Sequence, residues 1–196
     1  ILQELFSKLP KHDYYHQNWH YNITNWLPLY WKNFQQTTRY TYVINDLSNL
    51  EKVWDSFETN IRTDIKKANK KFSLTVKQNT DIEDFIELNE KVFNRQNKKL
   101  PYSKELVRSI YRKSIDLNKG SFFIAYDYQD RKHAGVFIVW DKSSAYYILG
   151  GGDPELRNSG ATSLCLWEAI KLASTVTKKF DFEGSMLEPV ERFFRA

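Results

Sequence analysis

The chain has 196 residues, which is enough to bury the core of one domain. Its formal net charge is only +5, and a single cysteine, Cys165, excludes an internal disulfide. No stretch approaches the roughly 20 apolar residues of a membrane-spanning helix, and no signal peptide is visible. We therefore expect a cytoplasmic protein without an integral membrane segment. We also expect that both ends are cut, because the chain starts at Ile1 and stops inside a predicted helix.

The first half of the chain predicts an aromatic segment followed by alternating strands and helices. Residues 1–39 are irregular and rich in tryptophan and tyrosine, and we expect them to pack on a main domain formed by residues 40–196. Hydrophobic spacing and helix-capping residues predict the first elements of that domain. These are a strand over 40–44, a helix over 49–70, a strand over 72–77, and helices over 81–96 and 104–117.

Three short runs of β-branched and aromatic residues follow, separated by polar connectors of hairpin length. They cover 121–126, 134–140 and 145–149 and predict an antiparallel meander. A helix over 162–178 returns the chain, so that a last strand over 180–183 can lie parallel to the third meander strand. The predicted fold class is therefore α/β (α+β), with a mixed sheet, a central helix and a parallel terminal strand.

A glycine-rich stretch, 150–161, joins the last meander strand to this helix. The free backbone N–H groups of a helix start, together with the helix dipole, favour a bound phosphate. Arg157 would add a fixed positive charge just before the first turn. The stretch therefore predicts a phosphate or pyrophosphate site, and the alternative is an ordinary glycine turn.

This order of elements resembles the core topology of the GNAT acyltransferases. Residues 157–162 are similar to the acyl-CoA loop of that superfamily, Arg/Gln-x-x-Gly-x-Gly/Ala, although Thr162 stands at the last position. The chain more closely resembles one branch, the Fem (peptidoglycan-bridge, methicillin-resistance) aminoacyltransferases of bacteria. The matching segments are 25–42, 62–70, 93–96 and 180–194.

The resemblance implies that the chain moves an activated acyl group to an amine acceptor. The donor would be acyl-CoA, such as acetyl-CoA, or aminoacyl-tRNA. The acceptor would be a small molecule or a cell-wall precursor, in cell-wall or surface-glycoconjugate biosynthesis. The resemblance also assigns donor binding to Arg157, Asn158, Ser159, Gly160, Ala161 and Thr162. It makes Arg95 and Gln96 acceptor-binding candidates, whose alternative is a solvated helix end.

Acyl transfer to an amine needs a base, a donor to the developing oxyanion and a proton for the leaving group. Asp181 and Glu183 are two residues apart in the last predicted strand and would share one sheet face. We expect Glu183 to be the base, with Asp181 as the other candidate. The alternative is that both carboxylates are structural and bind backbone N–H groups or Arg192. Ser185, Tyr146 and Tyr147 supply hydroxyls near the same strand ends, for proton transfer or for orienting the substrate.

Metal and nucleic-acid signals are weak. His12, His16 and His20 recur at helical spacing, but among residues that do not predict a firm helix, so we expect no metal site. His133 falls in a predicted hairpin and is expected at the surface. The basic run 62–71 suits a polyanion such as tRNA, or a solvated helix face, and no signature of a DNA-binding protein accompanies it. Nothing indicates an oligomeric state.

A second class of function stays open. The chain could be a non-catalytic GNAT-like domain that binds an acylated ligand or a protein partner through its aromatic first segment. Free backbone amides at residues 159–162, lining a groove, would favour the enzyme. A filled groove would favour the binding domain.

Overall fold

A computed structural model describes the backbone of residues 2–196 and the side chains from residue 4 onward. Its centre is one six-stranded sheet with the strand order β1-β6-β5-β4-β3-β2. Neighbouring strands are antiparallel except β5 and β6, which are parallel. The strands are β1 (Val43–Ile44), β2 (Thr75–Gln78), β3 (Gly120–Tyr126), β4 (Lys132–Trp140), β5 (Ser144–Gly152) and β6 (Lys179–Asp181).

Eight helices surround this sheet in the described part of the chain. In order they are α1 (Leu2–Ser7), α2 (Leu27–Tyr30), α3 (Leu50–Ser56), α4 (Thr59–Lys70), α5 (Ile82–Arg95), α6 (Lys104–Asp116), α7 (Ala161–Val176) and α8 (Glu188–Arg195). A short 3₁₀ turn, Arg157–Ser159, precedes α7. No described helix has the length and apolar character needed to cross a membrane.

Two apolar cores lie against the sheet. The larger core joins α7 and α4 to strands β3, β4 and β6, and includes Ile65, Leu164, Ile170 and Phe180. The smaller core joins α5 to β3 and β4 through residues such as Phe85 and Phe137. The buried Cys165 of α7 belongs to the larger core, so its thiol acts there as a small apolar side chain.

The predicted fold class is confirmed, but one long helix and several strand ends are wrong. The predicted helix 49–70 is two helices, because Phe57 has an extended backbone between α3 and α4. The break lets the Phe57 ring pack edge-on against Trp167 of α7, at a centroid distance of 5.6 Å. The predicted strands 40–44, 72–77 and 180–183 are shorter or shifted, and become β1, β2 and β6.

The three consecutive glycines were expected to open a phosphate loop, but they belong to β5 and pair with β4. Packing explains the glycine at position 151. A Cβ atom there would lie 2.5 Å from the backbone nitrogen of Asn89 in α5, so only glycine allows this helix to approach. Gly151 therefore serves helix–strand packing, and the loop proper begins at Asp153.

The hairpin histidine, His133, is buried rather than exposed. Its Nε2 atom lies 3.2 Å from Oδ2 of Asp127, and its ring packs edge-on near Phe72. Burial opposes the charge of Asp127, but hydrogen bonds from Arg131 and neighbouring groups outweigh it and lower the pKa of that carboxyl. The hairpin is thus held by a buried polar cluster that strand periodicity did not predict.

Candidate functional site

Strand β5 separates from β6 after the third of its nine residues. The last pair between them joins Tyr146 to Asp181, while β5 continues to Gly152. The pairing of β4 with β5 skips Ile148, and such a bulge bends a strand and increases its twist. Within the described residues, the second half of β5 has no strand partner on the β6 side. We call this gap the β5–β6 opening.

Tyr147 lies at the start of the β5–β6 opening. Its ring packs edge-on against Phe194 of α8, at a centroid distance of 5.6 Å. Burial raises the pKa of its phenol, so the hydroxyl stays protonated at neutral pH. A Cβ atom on Gly150 would lie 1.8 Å from that hydroxyl oxygen. The missing side chain at Gly150 therefore makes room for the Tyr147 hydroxyl.

A buried amide of α5 reaches the same strand. The Asn89 side chain donates a hydrogen bond of 2.7 Å to the carbonyl oxygen of Gly150. Its own oxygen accepts a 2.9 Å hydrogen bond from the Tyr102 hydroxyl, whose pKa is raised by burial. Sequence reasoning missed this pair. The sequence did contain an indication of it: Asn89 lies at helical spacing from the apolar residues Ile82, Phe85 and Ile86, so a polar side chain faces the core.

The two predicted carboxylates have different environments. Asp181 ends β6, is 3% exposed, and accepts hydrogen bonds from the Thr41 hydroxyl and from the Glu183 backbone N–H. Glu183 lies outside the strand in the left-handed region, with φ of 57°, so the prediction that both share a regular strand is wrong. The competing prediction of a pair with Arg192 is not seen either, because that guanidinium pairs with Glu188.

Burial is the main cause of the raised pKa of the half-buried Glu183 carboxyl. The negative charge of Asp181 raises it further, while His20 lowers it. A raised pKa brings a carboxylate closer to the range in which it accepts a proton from an amine. The two carboxylates thus differ in burial and in hydrogen bonding, and the choice of either as the base stays a prediction.

The first segment of the chain contributes to this region through His20. Its ring packs edge-on near Tyr146, at a centroid distance of 6.5 Å. The Tyr146 hydroxyl donates a hydrogen bond of 3.1 Å to Asp141, and burial together with that carboxylate raises its pKa. Sequence reasoning treated His20 only as a weak metal candidate, since no local pattern connects it with residues more than 120 positions away.

The remaining hydroxyl and acceptor candidates lie at element ends or in loops. The Ser185 side chain accepts the backbone N–H of Leu187 and lines a shallow depression with Tyr40 and Glu188. Arg95 ends α5 and Gln96 follows it, and both side chains are exposed. Their roles in catalysis and acceptor binding stay predictions.

Helix α4 covers part of the predicted donor loop. Gly160 has φ of 79°, and a Cβ atom there would lie 2.2 Å from the backbone oxygen of Asp64 in that helix. Three consecutive residues of the loop are therefore buried, namely Ser159, Gly160 and Ala161. The side chains of the others are accessible to solvent: Arg157 and Asn158 are exposed, and Thr162 is half-buried. Donor binding by these six residues stays a prediction.

Among residues 4–196, no group of three or more histidine, cysteine, aspartate or glutamate side chains is arranged to hold a metal ion. Asp127 and His133 form a two-residue contact only, closed by Arg131.

Comparison with solved structures finds proteins that share this fold. FemX matches 72% of the chain and 52% of its own length, with a TM-score of 0.63 and 14% identity. A structure described as the C-terminal domain (DUF2156) of a lysylphosphatidylglycerol synthetase from Agrobacterium fabrum matches 80% of the chain. There the TM-score is 0.52 with 11% identity, over 50% of that structure. The chain thus spans about half the length of each neighbour, and at these identities the likeness is one of fold.

A search of curated protein sequences finds no match. The sequence profile of the acetyltransferase (GNAT) domain, by contrast, matches residues 55–186, which run from α3 through the region after β6. That span contains β2 to β6, the β5–β6 opening and the helix that follows the donor loop. The chain therefore belongs to the GNAT acetyltransferase family.

Proposed function

We propose that this chain is the catalytic domain of an acyl- or aminoacyltransferase that acylates an amine at the β5–β6 opening. The observation that carries the proposal is the half-buried Glu183, whose pKa is raised by burial, two residues beyond the last pair of β5 with β6. The protonated Tyr147 hydroxyl at the same opening supports it.

In the proposed reaction, the acceptor nitrogen attacks the carbonyl carbon of the donor and forms a new C–N bond. The C–S bond of a thioester or the C–O bond of an ester breaks. Glu183 takes one proton from the amine, and this proton passes to the departing sulfur or oxygen. The Tyr147 hydroxyl donates a hydrogen bond to the oxyanion that develops in between. Atoms and charge balance without an oxidant or a metal.

The coverage of the donor loop by α4 supports an ester-linked aminoacyl donor over acyl-CoA. A pyrophosphate at the start of α7 needs close backbone approach, and the carbonyl oxygen of Asp64 occupies the space beside Gly160. Helix α4 also carries basic side chains in its last turns, including Lys67 and Lys70, which would attract the phosphates of a tRNA. We propose acyl-CoA as the alternative donor, bound through Arg157, Asn158 and Thr162.

The resemblance to the Fem branch, together with the fold shared with FemX, supports an amine acceptor in cell-wall or surface-glycoconjugate biosynthesis. Under this proposal Arg95 and Gln96 contact the acceptor from the end of α5, and Tyr146 orients it. The reaction would take place in the cytoplasm, where charged tRNA and nucleotide-linked precursors are made. Neither partner is DNA or a metal ion.

The test is a transfer assay with radiolabelled acetyl-CoA and a mixture of labelled aminoacyl-tRNAs, each with an amine-bearing cell-wall precursor as acceptor. Transfer from either donor, lost in Glu183→Gln but retained in Glu51→Gln, supports the proposal. Glu51 is a matched control because it is an exposed carboxylate of α3. Saturable binding of a donor without any transfer would instead show that the chain is a non-catalytic binding domain.

One observation favours that second candidate, a GNAT-like domain that binds an acylated ligand or a protein. Helix α4 fills the space beside Gly160 at the start of α7, and a partly covered donor loop is what a non-catalytic domain would tolerate. Large aromatic side chains of the first segment, such as Trp31 and Tyr14, are exposed and would serve partner binding.

A further inference from the structure

An apolar cavity lies on the α7 side of the sheet. It has a volume of about 180 Å³, is partly open to solvent, and is bordered by α4, α7, α8 and the chain around β1 and β6. Its lining is dominated by large aliphatic and aromatic side chains, including Ile61, Ile65, Leu166, Trp167, Phe193 and Phe194. Such a cavity next to a reaction site is the usual form of a binding pocket for an apolar group.

The lining excludes a phosphate or another anion as the ligand. Arg195 is the one cationic side chain among the lining residues, and its Nε atom pairs with a Glu191 oxygen at 3.2 Å. A buried anion without a charged partner or several donors would be strongly unfavourable. The lining polar side chains are few, such as Ser163 and Tyr42. The cavity therefore suits an uncharged, apolar group.

Its volume suits a group of about six carbons. An apolar cavity of about 150 Å³ in another protein binds benzene, so a cavity of 180 Å³ accommodates a phenyl ring or a short branched chain. A two-carbon acetyl group would leave most of the cavity empty. The dimensions favour an acyl group with a side chain of leucine or phenylalanine size.

The cavity adjoins the β5–β6 opening through one aromatic ring. The Phe194 ring lines the cavity and packs against Tyr147, at a centroid distance of 5.6 Å. The same ring lies 5.5 Å from Phe182, which also lines the cavity. Phe194 thus contacts both Tyr147 and the cavity, which brings a carbonyl held at Tyr147 next to the cavity wall.

We propose that this cavity binds the apolar tail of the acyl group that the domain transfers, with the carbonyl of that group at Tyr147. The inference rests on the acyl transfer proposed above and names its donor class: an acyl group of about six carbons, branched or aromatic. The tail stays chemically unchanged, while the C–N bond forms and the bond to the leaving group breaks as described. The same tail chemistry applies to a CoA thioester and to an aminoacyl ester.

Binding of free carboxylic acids to the intact chain tests the cavity without any turnover. Acetate, butanoate and hexanoate are titrated while the indole N–H signal of Trp167 is followed by NMR. Each methylene that enters the cavity should tighten binding about fourfold. Equal affinities for acetate and hexanoate, or no change at Trp167, would overturn the proposal, and both readings use the unmodified protein.

Substitution of a lining residue gives the matched comparison. Ile61→Phe places a phenyl ring in the cavity. It should weaken hexanoate binding at least tenfold and leave acetate binding unaffected. Leu106→Phe introduces the same phenyl ring at an exposed position of α6 and should leave hexanoate binding unchanged. Undiminished hexanoate binding by Ile61→Phe would place the acid elsewhere and overturn the proposal.

A donor series separates this inference from the proposed function. If both hold, hexanoyl or leucyl donors are transferred faster than acetyl or glycyl donors, and Ile61→Phe removes the difference. If transfer occurs but does not depend on the size of the acyl group, the cavity proposal fails and the transferase stands. If no donor is transferred although hexanoate binds with the expected dependence on chain length, the transferase fails and the apolar site stands.

Discussion

The sequence predicts functional residues both in the loop before α7 and at the β5–β6 opening. In the structure, a helix packs on the loop, whereas the opening has no strand beside it in the described residues. At the loop, Gly160 has the left-handed backbone expected of a tight helix start, but α4 lies directly over it. At the opening, the second half of β5 has no strand partner beside it in the described residues. Tyr147 follows the last residue of β5 that pairs with β6, and Glu183 lies two residues beyond the last paired residue of β6.

The difference between the two regions lies in what packs on them from a distance. Glycine and helix-start signals specify a local backbone conformation, and the structure contains that conformation at Gly160. Whether the amides there meet a ligand depends on a helix that lies roughly 95 positions earlier in the chain. A phosphate-binding pattern therefore predicts the backbone conformation of the loop more securely than it predicts whether a phosphate can reach that loop.

The largest expected effect is a loss of turnover when the carboxylate at the opening is replaced, compared with a carboxylate elsewhere on the surface. Replacing Glu183 with Gln keeps its shape but removes the base, so kcat should fall by about 10²–10⁴-fold with little change in donor affinity. The measurement is steady-state transfer with the active donor, beside Glu51→Gln. Normal turnover by Glu183→Gln would show that Glu183 is not the base. If only Asp181→Asn lost activity, Asp181 would be the base and Glu183 the structural carboxylate.

The second prediction asks what the donor loop does. Gly160→Ala should lower the free energy of unfolding by about 3 kcal/mol, because a Cβ atom meets the Asp64 carbonyl and the backbone has a positive φ. Gly152→Ala is the control, since its nearest heavy atom would be 3.5 Å away. Urea denaturation measures both. A stable Gly160→Ala with weakened donor binding would mean that α4 leaves the loop and that donor contacts determine its conformation.

A smaller loss is expected at the buried amide that supports β5. Asn89→Leu leaves the Tyr102 hydroxyl and the Gly150 carbonyl without their partner, which should cost about 2 kcal/mol. Asn94→Leu, at an exposed position of the same helix, is the matched control. The stabilities of the two variants are measured by thermal or urea unfolding. Equal stabilities would show that the Asn89 side chain does not stabilise the edge of the opening.

The smallest effect is a dependence of stability on pH. Because burial raises the pKa of Glu183 above its unfolded value of 4.5, the folded state binds its proton more tightly. The stability from this group is complete below pH 4.5 and is lost as the pH rises through the folded pKa. Wild type should therefore lose stability relative to Glu183→Gln over that range. Parallel unfolding curves at all pH values would show that the carboxyl is fully solvated.

Periodicity and turn chemistry predicted most of the architecture from the sequence. The meander β3–β4–β5, helices α5 and α6, helix α7 and the parallel strand β6 all lie close to the predicted ranges. These elements have regular apolar spacing and strong boundary residues, such as Ser103, whose side chain caps α6. The predictions failed where long-range packing overrides local preference, as in the break at Phe57 and the glycines of β5.

The sequence by itself determined which residues are glycine, carboxylate or aromatic and in what order the elements form, because local backbone preferences act over a few residues. Only the tertiary structure decided that Asp181 is bound by Thr41, that His20 lies near Tyr146, and that α4 covers Gly160. It also formed the cavity, whose walls come from helices far apart in the chain. Burial and charge at Glu183 depend on these distant neighbours, and no local pattern encodes them.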